Sequence, residues 1–562
     1  MAENWQDIAS KAQAGLLNSI PPKWRLPEPV DPSVMDVRGI PRACGLLTEK
    51  QLLITEQTAS ELVPQLRDGK LSSVEVTEAF CARAAIAHQC VNCLTAFFPD
   101  EALARAKELD DILAKTGVPV GPLHGLPVGI KDIFHMKDKN LTMGYLAWHN
   151  NRCTYDASII QMLRNAGAVF FVRTTMPQTG MFLETWSNLW GRTMNPFNRH
   201  FSAGGSSGGD GSLVAMRGAP FCPSTDIGGS IRAPGTFNGL YAMRPTADRT
   251  AKRGMGTPAP GQISIKVSSG PNCYSMADVK LVAEILLTHH GLPFEPTAVR
   301  MPWQQLPAKT EKLCIGLLAT DGCVTPQPPI ARALEETAAN LRAAGHEEKA
   351  NHARSDAKGG VYIVIEFQPP FDCWEVAQAT WRLWFQTGAK ETLDLVASSG
   401  EPLYPTFKWY LETFNIQPLT VPELFKLNTK QAEWKYQFAA AWHATASRTR
   451  SGRPIDCLLC PCAPSASFPH GFPVWWGYFS LWNLLDYPSI VLPLKKMRVD
   501  RDKDRKDVGY TPRDNVFDRM NWEVYDPERW ANLPVTVQLV RPQFGDEELI
   551  AVAEVVDQVC NS

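Results

Sequence analysis

Serine and glycine crowd the stretch from 202 to 246, SAGGSSGGDGSLVAMRGAPFCPSTDIGGSIRAPGTFNGLYAMRPT, beyond the needs of a turn. Glycine lets backbone N–H groups approach a ligand with no Cβ in the way, so two such clusters can each present hydroxyls and amides to one pocket. The chemistry this composition could serve is nucleophilic. A serine hydroxyl attacks a carbonyl once a base removes its proton, and oriented amides hold the charge that develops on the carbonyl oxygen. Plain linkers use the same residues. Here, however, the clusters flank an apolar stretch, Leu213 to Met216, and the second ends in Ile231-Arg232 instead of more polar repeats.

The motifs GGSSGG (204–209) and TDIGGSIR (225–232), in this order, closely resemble the amidase signature family. GPLHGLPVGIKD (121–132) is similar to the family's short strand that delivers a catalytic lysine, here Lys131. The spacings agree, with 75 residues from Lys131 to Ser206 and 24 from Ser206 to Ser230. The likeness covers most of the chain. It is strongest to fungal acetamidases, in FCARAAIAHQCVNCLTAFFPD (80–100), GRTMNPFNRHFSAGGSSGG (191–209) and LWNLLDYPSIVLPL (481–494).

The resemblance implies an amidohydrolase that converts a primary carboxamide to a carboxylic acid and ammonia through an acyl-enzyme. Ser230 would be the nucleophile, Ser206, at a cis Gly205-Ser206 peptide, the proton relay, and Lys131 the base. Oxyanion and substrate contacts fall to Ile227, Gly228, Gly229 and Ser230, with Ser206 and Gly180 beside them and Gln178-Thr179-Gly180 as a pocket wall. Gly205, Thr225, Asp226 and Arg232 take a supporting role. No metal or organic cofactor is implied, the partner is a small-molecule amide, and a homodimer is compatible with the reading. Acetamide-like, arylacetamide and biosynthetic acyl groups all remain open.

The lysine's role can be argued separately. An amine acts as a base only when neutral, and burial behind the apolar Pro127 to Ile130 segment would disfavour the ammonium. Two positions depart from the family pattern: Cys222-Pro223-Ser224 replaces a more glycine-rich approach to Thr225, and Gly235 stands where alanine is common. Altered loop rigidity, pocket shape and thiol sensitivity are the expected consequences. Trp475, Trp476 and Trp482 are expected in the core, with an approach to the pocket as the alternative. Two rival readings stand beside the family one. Gly204-x-Ser206-x-Gly208 also satisfies a nucleophile-elbow pattern, but His443 and His470 carry no accompanying motif, and His443, beside Trp442, reads as a packed histidine. A silent or amide-transferring subunit with this fold is the other, opposed by the joint presence of Lys131, Ser206 and Ser230.

The elements that must position these residues are legible in part. A capping box, Ser72-x-x-Glu75, opens a helix over 72–88, with Val76, Phe80, Ala84 and Ala87 on one face. Ile159, Ile160 and Leu163 read as a helix stopped by Gly167, followed by a buried strand from Ala168 to Val172. Pro328 and Pro329 open another helix through Leu341 with Gly345 as its cap, and Leu458-Leu459 and Val535 to Val540 read as strands. The charged run 495–507, KKMRVDRDKDRKD, reads as a solvated loop. The expected architecture is α/β, one large amidase-signature-type domain with a mixed central sheet covered by helices. Residues 1–56 would form an N-terminal helical extension and 57–562 the amidase domain, with a catalytic core at about 121–246 and C-terminal strands returning to the same sheet.

Composition sets outer limits. With 562 residues, 44% hydrophobic and a net charge of -2, the chain can bury a large core and carries no field that draws nucleic acid or an anionic membrane. No segment is long and apolar enough to span a bilayer, and the first residues lack a secretory leader's apolar run, so a cytoplasmic protein is expected. Fourteen scattered cysteines fit free thiols. The C-x-x-C pairs Cys90/Cys93 and Cys457/Cys460 have no matching partners for zinc.

Overall fold

The capping box at Ser72 forms: its hydroxyl accepts from the Glu75 N–H, and the Glu75 carboxylate accepts from the Ser72 N–H. The helix runs Ser73–Val91, past its expected end, and stops where Asn92 adopts φ 52°. These elements are seen in a computed structural model, which describes residues 4–306, 312–344, 365–449 and 451–562. The helix Ser158–Asn165 gives way at Gly167, φ 89°, to a strand that continues to Thr174 instead of ending at Val172. It continues because its polar end finds buried partners. Arg173 pairs with Asp132 at 2.7 Å, and Thr174 Oγ1 donates to Asp210 at 2.5 Å. The helix opened by Pro328 runs Pro328–Ala343; Gly345 lies outside the described residues.

The described strands are β1 (Leu94–Phe97), β2 (Pro127–Lys131), β3 (Val169–Thr174), β4 (Trp186–Ser187), β5 (Gly191–Arg192), β6 (Phe221–Asp226), β7 (Tyr241–Arg244), β8 (Ser268–Cys273), β9 (Ile315–Leu317), β10 (Ile365–Glu366), β11 (Cys457–Cys460), β12 (Ser489–Arg498) and β13 (Pro534–Val540). Eight of them form a mixed sheet in the order β10-β9-β11-β13-β12-β7-β8-β6, so the late strands β11 to β13 sit at its centre. The lysine-bearing β2 belongs to a separate three-stranded sheet, β1-β3-β2, paired in parallel with β3. The two sheets meet at β2 and β6, where a Cβ placed on Gly129 would come within 2.7 Å of Cys222 Sγ. Pro223 is tolerated in β6 because that strand is an edge of its sheet and needs fewer N–H donors.

The run 495–507 is not all loop. Lys495 to Arg498 complete β12, with Lys495 and Lys496 exposed while Met497 and Val499 are buried, an alternation that places apolar side chains inward. Asp504 is buried too, accepting from Arg332 at 2.6 and 2.8 Å. At the N-terminal end, Leu16, Ile20, Trp24 and Val37 join the same hydrophobic cluster as β3 and β13. No described helix is long and apolar enough to cross a membrane.

Candidate active site

Lys131 is the last residue of β2, whose five residues are all buried. Its Nζ donates to Ser206 Oγ at 2.8 Å and to Thr225 Oγ1 at 2.9 Å, with no exposure to solvent. Burial drives the amine's pKa down to about 7 against the opposing pull of Asp210 and Asp226. Burial likewise raises the Asp210 carboxyl, opposed by Lys131 and by hydrogen bonds from Ser224 and Thr174. Asp132, the next residue, anchors the strand end to β3 through Arg173 and through its own N–H, which donates to Thr174 O at 3.2 Å.

The peptide Gly205-Ser206 is cis. Its loop is clasped from outside by Thr185, whose Oγ1 donates to Gly204 O at 2.9 Å and accepts from Gly208 N–H at 3.0 Å. Gly205 lies so close to the 182–184 backbone that a Cβ would fall 2.4 Å from Phe182 O, leaving no side chain but hydrogen at this place. The clasping segment hangs on buried Glu184, which accepts from Tyr404 OH at 2.8 Å and Gly471 N–H at 2.7 Å and contacts His470 Nδ1 at 2.7 Å.

The second serine follows β6, whose last residue, Asp226, organises the turn. Its carboxylate accepts from Gly229 N–H at 2.7 Å, Ile231 N–H at 3.2 Å, Arg232 Nε at 2.9 Å and Asn483 Nδ2 at 2.9 Å. Burial alone would raise its pKa, but the Arg232 guanidinium and these bonds hold it far below the usual carboxylate range. Gly229, at φ 124°, takes a conformation that favours glycine and lies against the Phe479 ring. Its N–H is spent on Asp226, so of the four expected donors only the amides of Ile227, Gly228 and Ser230 are without an acceptor among the described residues.

Ser206, Ser230, Thr225, Ile227 and Gly180 line one cavity of about 270 Å³. Gln178 does not; its side chain donates to Glu401 at 2.7 Å and accepts from Tyr404 N–H at 3.0 Å, while Thr179 lines the cavity. Two roomier hollows, about 710 and 600 Å³, are lined by charged side chains such as Arg332, Asp500, Lys139 and Arg152 and hold none of the motif serines. Trp475 is in the core, donating to Asp321 at 2.6 Å, and Trp482 packs on Phe438. Trp476 approaches the site from behind, against Gly228. Cys222 is fully buried with its thiol pKa raised well above the usual value by that burial, and it does not line the cavity, so the expected effects on pocket shape and thiol reactivity do not arise.

His443 is exposed on its helix, not packed, because the buried stripe there is Trp434, Phe438 and Trp442. Both ring nitrogens of His470 are engaged, by Glu184 and by Arg199 O at 2.9 Å, which leaves neither for Ser206. Sequence reading missed Asp210 and Trp384. The signal for Asp210 was an acid inside the otherwise apolar helix Gly208–Ala215; Trp384 gave none, since its place depends on contacts across more than a hundred residues.

Comparison with known proteins shows the family. The family model described as Amidase matches residues 75–550. "Amidase FG08078" of Gibberella zeae is 45% identical over 99% of both chains, and the "Acetamidase" of Emericella nidulans is 36% identical over 100% of this chain and 99% of its own. Among solved structures, "Fatty acid amide hydrolase" superposes with a TM-score of 0.90 at 30% identity, covering 100% of this chain and 96% of that one. Fold and site together define an amide-hydrolysing enzyme. The chain belongs to the amidase family, the amidase signature enzymes.

Proposed function

We propose that the enzyme hydrolyses a primary carboxamide to a carboxylic acid and ammonia through an acyl-enzyme on Ser230. The observation that carries this reading is the 2.8 Å contact between Ser206 Oγ and the fully buried Lys131 amine, whose pKa burial lowers to about 7. In the first step neutral Lys131 takes the Ser206 proton while Ser206 takes the Ser230 proton, and Ser230 Oγ bonds to the carbonyl carbon. The oxyanion is met by the amides of Ile227, Gly228 and Ser230, each such donor contributing about 3 kcal/mol to the transition state. The tetrahedral intermediate collapses as Ser206 returns a proton to the nitrogen, and ammonia leaves. Water then adds to the acyl-enzyme by the same relay and frees the acid and Ser230. Thr225, which also accepts from Lys131, fixes the amine's direction, and Asp226 with Arg232 holds the turn.

Ammonia release by wild type and Ser230→Ala, measured on primary amides from acetamide to arylacetamides, tests the proposal. Release by wild type with a loss of about ten-thousand-fold or more in Ser230→Ala supports it. Equal release by both removes Ser230 as nucleophile.

A further inference from the structure

The cavity is larger and less polar than a two-carbon acyl group requires. At about 270 Å³ it has room for roughly nine water-sized units of 30 Å³. If ammonia is the leaving group, almost all of that room falls to the acyl side. The lining chemistry is apolar and adaptable: three thioethers, Met143, Met181 and Met255, face the same space as Trp384 and Phe385. Thioethers and aromatic side chains make favourable contacts with a ring and repack around it.

Few charged residues line this cavity. Lys252 and Glu391 are the charged residues of the described lining, and both are committed elsewhere. Lys252 Nζ donates to Ala247 O at 2.6 Å and Thr250 O at 3.0 Å, and Glu391 accepts from Thr387 Oγ1 at 2.5 Å. A charged acyl group would lose its hydration in a lining that is mostly apolar and whose two charged side chains already hold hydrogen bonds within the chain.

Trp384 stands at the reacting end. It closes the buried helix Cys373–Trp384, and its ring packs on Gly228 so tightly that a Cβ there would lie 2.7 Å from Cζ2. Trp476 supports it from the other side, with ring centroids 5.4 Å apart. A wall this close to the oxyanion turn limits the width available next to the carbonyl carbon, and the thioethers and the 255–262 segment line the rest of the same cavity.

From this we infer that the preferred substrate is a neutral arylacetamide-type amide, with an unbranched carbon beside the carbonyl and an aromatic ring beyond it, and that Trp384 is a specificity-determining residue. This rests on the primary-amide reading above. The test is kcat/KM from ammonia release with acetamide, hexanamide, phenylacetamide and 2-phenylpropanamide, using wild type, Ser230→Ala, Trp384→Ala and Trp384→Phe. Wild type should favour phenylacetamide over acetamide by tenfold or more, the scale of added apolar contact in a fitted pocket, and over 2-phenylpropanamide by a similar factor. Trp384→Ala should narrow the second ratio at least fivefold; if its melting curve shows it unfolded, Trp384→Phe carries the test with a smaller shift in the same direction. Preference for acetamide or hexanamide, lost in Ser230→Ala, overturns the inference and leaves the nucleophile in place. Unchanged ratios in a folded Trp384→Ala remove the residue's role. Turnover that survives Ser230→Ala, or no turnover of any of the four amides, overturns the inference together with the reading beneath it.

Discussion

On the serine side of the cavity the polar groups are joined by directional bonds: Lys131 to Ser206 and Thr225, Asp210 to Ser224 and Thr174, Asp226 to Arg232 and the turn amides. The aromatic wall packed against Gly228 is built otherwise. Trp384 and Trp476 leave their indole N–H groups without acceptors among the described residues, and Trp381 stacks on Tyr410 and Phe414, with the Tyr410 hydroxyl donating to Val474 O at 2.6 Å. Directional networks in a dry interior lose much when one member is removed, because the partner is left buried and unpaired. Stacked apolar walls lose volume and shape but keep no orphan charge. The first wall therefore sets whether a reaction occurs, and the second sets which acyl group enters it.

The comparison can be broken most forcefully at Lys131. Lys131→Met should lower kcat by about a hundredfold to ten-thousandfold, the range for loss of a positioned base, in a protein that still folds because an apolar side chain of similar length fills the buried site, as its melting curve would show. In wild type the free amine forms as pH rises, so kcat/KM should climb through about pH 7 and level off above it. That limb should be absent from the residual activity of Lys131→Met, and its persistence would reassign the base.

Next comes the buried pair under the serine turn. Asp226→Ala leaves Arg232 unpaired in a position with no solvent exposure and should reduce unfolding free energy by about 3–5 kcal/mol, read by denaturant titration. A change confined to the surface range, under about 1 kcal/mol, would mean that Asn483 and Gln538 hold the guanidinium without it. A smaller effect is expected at the clasp. Thr185→Val keeps the shape and removes two hydrogen bonds, so stability should fall by about 1–3 kcal/mol and kcat should fall while KM stays nearly constant. A rise in KM alone would place Thr185 with the aromatic wall. An effect of similar size, confined to stability, is expected at Gly235, where an added Cβ would sit 2.5 Å from Ala242 Cβ. Gly235→Ala should cost about 1–3 kcal/mol by overpacking, and Ala242→Gly in the same chain should recover most of it.

Much of the first wall could be read from the chain because Ser206, Thr225, Asp226, Ser230 and Arg232 fall in two short motifs that resemble the amidase signature. A capping box names its own helix end, the apolar Pro127 to Ile130 segment points to the burial of Lys131, and the resemblance to the amidase signature supplies its strand. What was hidden depended on distance or on occupancy. The Gly229 amide looks like any other donor in the motif until Asp226 is seen to take it. Lys495 to Arg498 have the composition of a loop, yet the strand periodicity of Met497 and Val499 places them in β12 beside β13. His443 lies next to a tryptophan, but on a helix a neighbour in sequence faces another direction. Trp384 could not be read at all, since nothing near residue 384 refers to Gly228.

Glu184 belongs to neither wall and touches both through others. Its backbone lies against Gly205, while its carboxylate receives Tyr404, Gly471 and His470 from far along the chain. A substitution at Tyr404 or His470, neither of which lines the cavity, would thus be transmitted to the placement of Ser206. Latitude for drift or for engineering is uneven in this protein: the 255–262 segment and the end of the helix at Trp384 can be redrawn with the relay left alone, whereas the 404 and 470 regions cannot.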